Sequence, residues 1–288
     1  MCGIAGYYCF GDKRPEPESI RKFFLKTSTR GTDATGYMFP DPKEASIRYF
    51  KHPIPAATFI KFPIVRDMIE TKLPKVFVLH CRAKTQGDPR VNKNNHPVCY
   101  KGVCIVHNGI IHNDAQLFQS LKLRREAQVD SEIIAAILSL HLRDGWQIAI
   151  KELAEAVTGS FAVVALATRN LSQLAVFRRS SPLELGIDRT NDILYFASTR
   201  EILKESLSID YRGFLLPRRD IQYLSLKDDS VCIFDSEGLH DEFEIPTRTW
   251  LFDYRSHQHN PSQGAKEIDA GSLKDGFYND YNDGHIGY

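Results

Sequence analysis

The chain has 288 residues, of which 42% are hydrophobic and 25% charged, and its formal net charge is +1. This length allows one large domain or two smaller ones, and the near-neutral charge gives no electrostatic reason to expect nucleic-acid or membrane-surface binding. No apolar run approaches the roughly 18 residues that a membrane-spanning helix needs. The first apolar stretch, 4–10, is too short for a signal peptide and lacks a basic flank. We therefore expect a cytoplasmic protein.

The cysteine pattern also bears on the compartment. The six cysteines are Cys2, Cys9, Cys81, Cys99, Cys104 and Cys232. They are scattered without a C-x-x-C pair, which in a chain this long predicts reduced thiols in a cytoplasm. The histidines and cysteines between 80 and 107 match no zinc-binding spacing, so we predict no metal site and no cofactor.

The first half of the chain alternates short strands with polar segments. We predict a strand over 2–10, a helix over 18–28, a polar turn over 30–36 that leads into a strand over 37–39, a strand over 75–80, a loop over 82–97, and a strand over 102–107. The last strand is expected to end at the turn dipeptide Asn108-Gly109.

Two helices and a second set of strands follow. A helix is predicted over 130–141, with Asp130 as its N-cap, and another over 146–157. The later strands are predicted over 161–167, 174–178, 193–197, 213–216, 221–226 and 230–235. Strands, then two helices, then strands again favour an α+β layered sandwich over a doubly wound parallel sheet.

The C-terminal segment has a different composition. We assign 2–245 to one domain, because the strand and helix patterns fade at about 246. Residues 246–288 are poor in aliphatic side chains and cannot form a core of their own. We expect this tail to be partly disordered or to dock on a partner.

The most informative residue is Cys2, directly behind the initiator methionine. Once Met1 is removed, one residue carries a thiol that can attack a carbonyl and an α-amine that can accept and return the proton. The reference pKa of such an amine, about 7.7 to 8.0, suits that role near neutral pH. The alternative interpretation is that Cys2 is a small apolar residue at the start of a buried strand.

Further polar signatures complete a possible active site. They are Arg30-Gly31-x-Asp33-x-x-Gly36, His80-x-Arg82-x-x-Thr85-x-Gly87, Asn95-His96-Pro97, His107-Asn108-Gly109 and Val129-Asp130-Ser131-Glu132. The Asn108 amide and the Gly109 N–H could form an oxyanion hole. Arg82 could grip an α-carboxylate with help from the Thr85 hydroxyl, while Asp130 holds an α-ammonium group. A substrate with a carboxylate, an ammonium group and a carboxamide is glutamine.

At these residues the sequence resembles the class II glutamine amidotransferases, which are N-terminal-nucleophile hydrolases, over roughly 2–240. The resemblance extends to Gly159-Ser160-Phe161-Ala162 and to Phe196-Ala197-Ser198. It implies a four-layer αββα sandwich, Cys2 as nucleophile, and Arg30 near the nucleophile as a residue that orders the site. Gln86 stands where many relatives have His, and its role is open.

The resemblance implies hydrolysis of L-glutamine to glutamate and ammonia through a γ-glutamyl thioester on Cys2. Neither a phosphate-binding glycine loop nor an S-G-G-x-D-S motif follows in the sequence. We therefore expect a stand-alone glutaminase whose ammonia passes to an acceptor on a separate synthetase subunit, or is released. The alternatives are an amidohydrolase of the same fold that acts on another amide, and a non-catalytic binding or regulatory module.

Overall fold

The computed structural model describes residues 1–211, 214–216 and 221–246. Side chains are described for 1–208 and 221–246. The expected tail, 246–288, lies outside the described residues except for Pro246. The strands are β1 (Gly3–Cys9), β2 (Ala34–Asp41), β3 (Ser46–His52), β4 (Val76–Arg82), β5 (Val98–Tyr100), β6 (Val103–Ile111), β7 (Gly159–Ala167), β8 (Asn170–Arg179), β9 (Glu184–Asp188), β10 (Ile193–Ala197), β11 (Ile209–Tyr211), β12 (Phe214–Leu216), β13 (Ile221–Ser225), β14 (Ser230–Asp235) and β15 (Gly238–Glu244). The helices are α1 (Pro17–Thr27), α2 (Ala56–Phe59), α3 (Pro63–Thr71), α4 (Asp114–Ser120), α5 (Ser131–His141), α6 (Trp146–Ala156) and α7 (Arg200–Leu207).

Two antiparallel sheets face each other. The first sheet has the order β13-β9-β10-β1-β4-β2-β3, so that β1 lies at its centre between β10 and β4. The second sheet has the order β15-β14-β8-β7-β6-β5. The strands β11 and β12 form a separate pair. This arrangement places the start of β1 and the middle of β6 in the two facing sheets.

Three apolar layers hold these elements together. One lies between the sheets and includes Ile4, Val106 and Phe196. The second packs α1, α3 and α7 on the outer face of the first sheet, and the third packs α5 and α6 on the outer face of the second. All seven residues of β1 are buried, because both faces of its sheet are covered. The four-layer αββα sandwich is therefore confirmed.

The strand predicted over 102–107 is wrong at its C-terminal end. The β6 strand continues through Asn108 and Gly109 to Ile111, paired with β7 as far as Gly159. Gly109 has a φ of 142°, and a Cβ atom there would lie 2.0 Å from the Ser160 carbonyl oxygen. The glycine thus permits close approach of two paired strands, and does not form a hairpin turn.

The expectation of six reduced thiols is wrong for two of them. Cys99 and Cys104 are directly opposed in the β5–β6 hairpin, with Cα atoms 4.0 Å apart, and form a disulfide. The other four cysteines are free, and of these only Cys2 is not fully buried. Within the described ranges, no helix is long and apolar enough to span a membrane.

Candidate active site

Cys2 immediately precedes the central strand β1. Its side chain is half-buried, and its Sγ–H donates to the Ala83 carbonyl oxygen at 3.3 Å. The backbone carbonyl of Cys2 accepts a 2.7 Å hydrogen bond from Arg30 Nε. Met1, which precedes Cys2, is 83% exposed. The Arg30 side chain thus contacts the backbone of Cys2.

Burial raises the pKa of the Cys2 thiol above its ordinary value. The hydrogen bond to Ala83, Arg82 and the chain's amino terminus act in the opposite direction, and Asp130 reinforces the rise. The thiol is therefore protonated near neutral pH, and a thiolate nucleophile requires a base close to it. Arg82 and Asp130 therefore lie within electrostatic range of the sulfur.

Asn108 lies on β6, in the sheet that faces β1. It is 5% exposed, and its Nδ2 donates to the Ser198 hydroxyl at 2.6 Å. Gly109 follows on the same strand and pairs with Phe161. These two neighbouring residues are held by a continuous β-ladder, which fixes their backbone.

Arg82, the last residue of β4, is 2% exposed and surrounded by acceptors from its own loop. Its Nη1 donates to Asn95 Oδ1 at 2.7 Å, and its Nη2 donates to the carbonyl oxygens of Gln86 and Gly87, the latter at 3.0 Å. Both bidentate edges of a guanidinium include Nη2. The guanidinium edges predicted to bind the substrate carboxylate are therefore occupied by backbone carbonyls in this structure.

Asp130 is the N-cap of α5, as predicted, and is 5% exposed. Its carboxylate oxygens accept hydrogen bonds from Ser131 N at 3.0 Å and Ile111 N at 2.7 Å. Its own N–H donates to Gln86 Oε1 at 3.1 Å, which joins the loop after β4 to the start of α5. Thr85 is exposed on that loop. The structure thus brings Cys2, Arg82 and Asp130 together and leaves Thr85 at the surface.

Comparison with known proteins identifies the family. A model of the glutamine amidotransferase domain family matches residues 80–205. The chain is 27% identical over 252 residues to the glutamine–fructose-6-phosphate aminotransferase of Vibrio parahaemolyticus, which covers 85% of this chain and 38% of that protein. Residues 80–205 therefore match a glutamine amidotransferase domain. The chain spans less than half the length of the curated relatives that it matches.

Solved structures agree on the fold. The glutamine phosphoribosylpyrophosphate amidotransferase of B. subtilis superimposes with a TM-score of 0.65 at 18% identity, over 86% of this chain and 50% of that one. A glutamine aminotransferase class-II domain protein from Silicibacter pomeroyi superimposes with a TM-score of 0.53 at 15% identity, over 85% of this chain and 98% of that one. At these identities the likeness establishes the fold alone.

Several supporting residues of the amidotransferase domain were not assigned roles by sequence reasoning. Asp33 Oδ2 accepts from Lys84 N at 2.6 Å, and a Cβ atom on Gly31 would lie 2.3 Å from the backbone of Ala83. The Arg30-Gly31-x-Asp33 motif therefore holds the start of the loop that carries the Cys2 acceptor Ala83. The motif is visible in the sequence, but its partners are backbone atoms that carry no sequence signal.

A buried histidine cluster lies beneath the amidotransferase site. The His80 and His96 rings are 4.0 Å apart between centroids, and the rings of His96 and His107 lie 3.0 Å and 2.9 Å from Ser131 Oγ. Burial lowers the pKa of His80 to about 3, although hydrogen bonds to the His107 carbonyl and the Asn108 side chain oppose this. Burial also lowers the pKa values of His96 and His107. The cluster is therefore neutral near pH 7.

Proposed function

We propose that the chain hydrolyses L-glutamine to glutamate and ammonia through a γ-glutamyl thioester on Cys2. The observation that carries this proposal is the location of the Cys2 thiol, at the start of the central strand, within electrostatic range of both a buried cation, Arg82, and a buried carboxylate, Asp130. These charges complement the α-carboxylate and α-ammonium groups of glutamine. Asn108 is available on the facing sheet as an oxyanion donor.

The reaction begins when the Cys2 sulfur bonds to the side-chain carbonyl carbon of glutamine. The α-amine of Cys2 takes the thiol proton, because burial keeps the thiol protonated until a base removes it. Asn108 Nδ2 and the Gly109 N–H donate to the oxyanion. The intermediate collapses when the C–N bond breaks and the amine passes its proton to the departing nitrogen, which leaves as ammonia.

A water molecule then completes the turnover. It attacks the thioester carbon, the α-amine removes one of its protons, and the C–S bond breaks. The proton returns to the sulfur, so the sum is glutamine plus water to glutamate plus ammonia. This cycle requires a free amine on Cys2, and hence removal of Met1.

Recognition of the substrate requires a rearrangement of the loop that follows Arg82. A bidentate carboxylate grip needs Nη2, which now donates to Gln86 and Gly87. We propose that glutamine replaces these carbonyls, with Thr85 supplied by the same loop. The Asp130 carboxylate keeps its two backbone bonds and uses its remaining lone pairs for the ammonium group.

The ammonia acceptor is proposed to be held by a separate polypeptide, a synthetase subunit. The Vibrio relative named above is longer than the region that matches this chain, which is 38% of it. A cytoplasmic location and a docking role for the tail 246–288 remain predictions. Co-purification, followed by ammonia transfer assays with the captured protein, tests the partner.

The test of the reaction itself is glutamate release from glutamine, with asparagine and a neutral primary amide as comparison substrates. We expect turnover of glutamine alone, and an intact mass that lacks Met1. Equal turnover of the neutral amide would show that Arg82 and Asp130 do not select the substrate. Full activity in a chain that keeps Met1 would exclude the α-amine as base.

A further inference from the structure

Ser198 follows β10 and lies beside the start of β1. It is 0% exposed, and its N–H donates to the Ile4 carbonyl oxygen at 2.9 Å. Its hydroxyl oxygen accepts from the Ile4 N–H at 2.8 Å. Both backbone polar groups of Ile4, two residues after Cys2, are thus bound by one serine. The side chain takes the place of a backbone acceptor at the end of the ladder between these strands.

The same hydroxyl oxygen reaches the facing sheet. It accepts a hydrogen bond from Asn108 Nδ2 at 2.6 Å, so both of its lone pairs are used by N–H donors. Its own proton points to the Ile4 carbonyl oxygen at 3.4 Å. A primary amide has two N–H groups, and this contact uses one of them. In the proposed reaction the second N–H of Asn108 donates to the oxyanion.

Among the described residues, Ser198 and His80 are the two side chains that orient the Asn108 carboxamide. The terminal torsion of asparagine is broad and roughly two-fold, so backbone pairing on β6 fixes the Cα position but not the amide plane. An oxyanion donor is effective only when its N–H is already aimed at the site where charge develops. Rotation that presented the amide oxygen instead would repel an oxyanion.

We propose that Ser198 is a positioning residue that fixes the Asn108 carboxamide relative to the Cys2 strand. This inference rests on the proposed glutaminase reaction. One hydroxyl joins the backbone next to the nucleophile to the oxyanion donor, across the space between the two sheets. Ser198 therefore acts on the transition state through Asn108 and does not contact the substrate.

The test is a double-mutant cycle on glutamine turnover. We expect Ser198→Ala to lower kcat by about 10- to 100-fold, since a small misplacement of a catalytic group costs up to about 100-fold. The KM for glutamine should change little, because Arg82 and Asp130 are untouched. In an Asn108→Ala background, Ser198→Ala should lower kcat by less than about two-fold, since its target is gone. Ser198→Thr, which keeps the hydroxyl, should recover part of the lost turnover.

The matched control is Ser206→Ala. Ser206 lies in α7, is also 0% exposed, and its hydroxyl has no hydrogen-bond partner in the described part of the chain. It should leave kcat unchanged. Melting temperature and the rate of Cys2 alkylation by iodoacetamide, measured on every variant, report folding and thiol access separately from turnover.

The outcomes separate the two proposals. If the wild-type chain releases no glutamate, the glutaminase reaction is wrong and the role of Ser198 in it falls with it. If the wild type is active but Ser198→Ala keeps its kcat, or if the losses from Ser198→Ala and Asn108→Ala multiply, only the positioning role is overturned. Loss of kcat that tracks the melting temperature, with no recovery in Ser198→Thr, would show a purely structural role.

Discussion

The two sides of the Cys2 thiol are built differently. On one side, Asn108 and Gly109 lie within β6, whose pairing with β7 continues past both residues, and Ser198 fixes the Asn108 amide. On the other side, Arg82 ends β4, and its guanidinium is bonded to the carbonyls of the loop that follows. The groups proposed for bond-making are preorganised by β-ladders, whereas the group proposed for recognition must first release its own loop.

The largest effect is expected at the nucleophile. Cys2→Ser should lower glutamine turnover by about three orders of magnitude or more, because a serine hydroxyl is far less ionised than a thiol near neutral pH. Turnover number and thioester formation by mass spectrometry measure this. The melting temperature should stay within about 2 °C, as expected for a near-isosteric change at a half-buried residue. Wild-type turnover in Cys2→Ser would show that Cys2 is not the nucleophile, and the roles proposed for Asn108 and Arg82 beside it would then be wrong.

Substitutions of the proposed substrate-binding residues, Arg82 and Asp130, should mainly raise the KM for glutamine. Arg82→Lys keeps the charge but loses the fork, and Asp130→Asn keeps the shape but loses the charge. Each should weaken capture of glutamine by about 2 to 5 kcal/mol, as expected for a buried charge that loses its partner. Steady-state kcat/KM for glutamine measures the loss, and a single cooperative unfolding transition in urea shows that each variant is folded. Wild-type kcat/KM in either variant would contradict that assignment.

Substitution of the proposed oxyanion donor, Asn108, should mainly lower kcat. Asn108→Ala should lower kcat by about 10²- to 10³-fold, as loss of one oxyanion donor does elsewhere, with little change in KM. Asn113→Ala is a suitable control, because that asparagine occupies the N-cap position of α4 and its side chain bonds to Thr158 N and the Ala156 carbonyl. An equal fall of kcat in both variants would point to a general loss of folding.

The difference between the two sides also explains what sequence could predict. The central strand, the Asp130 cap and β10 were predicted correctly, because apolar runs and capping residues are local signals. Asn108-Gly109 was misread as a turn, since its local preference is overridden by pairing with β7. The Cys99–Cys104 disulfide depends on the β5–β6 register. The carbonyls on Arg82 are backbone atoms with no sequence signature, so the occupied state of the loop could not be foreseen.

Beneath both sides, the histidine cluster should make stability depend on pH. The folded-state pKa of His80 is lowered from 6.5 to about 3. Between these two pH values the unfolded chain therefore binds a proton at His80 that the folded chain does not bind. Stability conferred by neutral His80 is therefore complete above about pH 6.5 and is lost as pH falls toward 3, by about 1.4 kcal/mol per unit. Urea unfolding between pH 7 and 4.5 measures this slope.

The control for that slope is a substitution at the exposed His112. His80→Gln should reduce the pH dependence in this window by more than His112→Gln does, because His80 is buried and His112 lies at the surface. Equal slopes in wild type and His80→Gln would show that His80 is not a source of the pH dependence. Because His80 also hydrogen-bonds to the Asn108 side chain, kcat should be measured for the same variants.

The smallest effect, and the one that sharpens the comparison most, is expected at Gln86. Its side chain accepts from the Asp130 N–H at 3.1 Å, and its backbone carbonyl accepts from Arg82 Nη2. Both contacts hold the loop in the state that occupies Arg82. A single neutral hydrogen bond contributes about 0.5 to 1.5 kcal/mol. Gln86→Ala should therefore favour release of the loop and lower the KM for glutamine by about two- to ten-fold, with kcat unchanged.

The sign of that change decides what Gln86 does. A lower KM means that Gln86 stabilises the state that competes with the substrate carboxylate. A higher KM would mean that Gln86 contacts glutamine itself, and that the recognition side is less dependent on loop release than we propose. Gln128→Ala is the matched control, because Gln128 bonds to Asn94 at the far end of the same loop and touches neither Arg82 nor Asp130 through its side chain. If both variants shift KM equally, general loosening of the loop accounts for the effect, and the Gln86–Asp130 contact has no separate role.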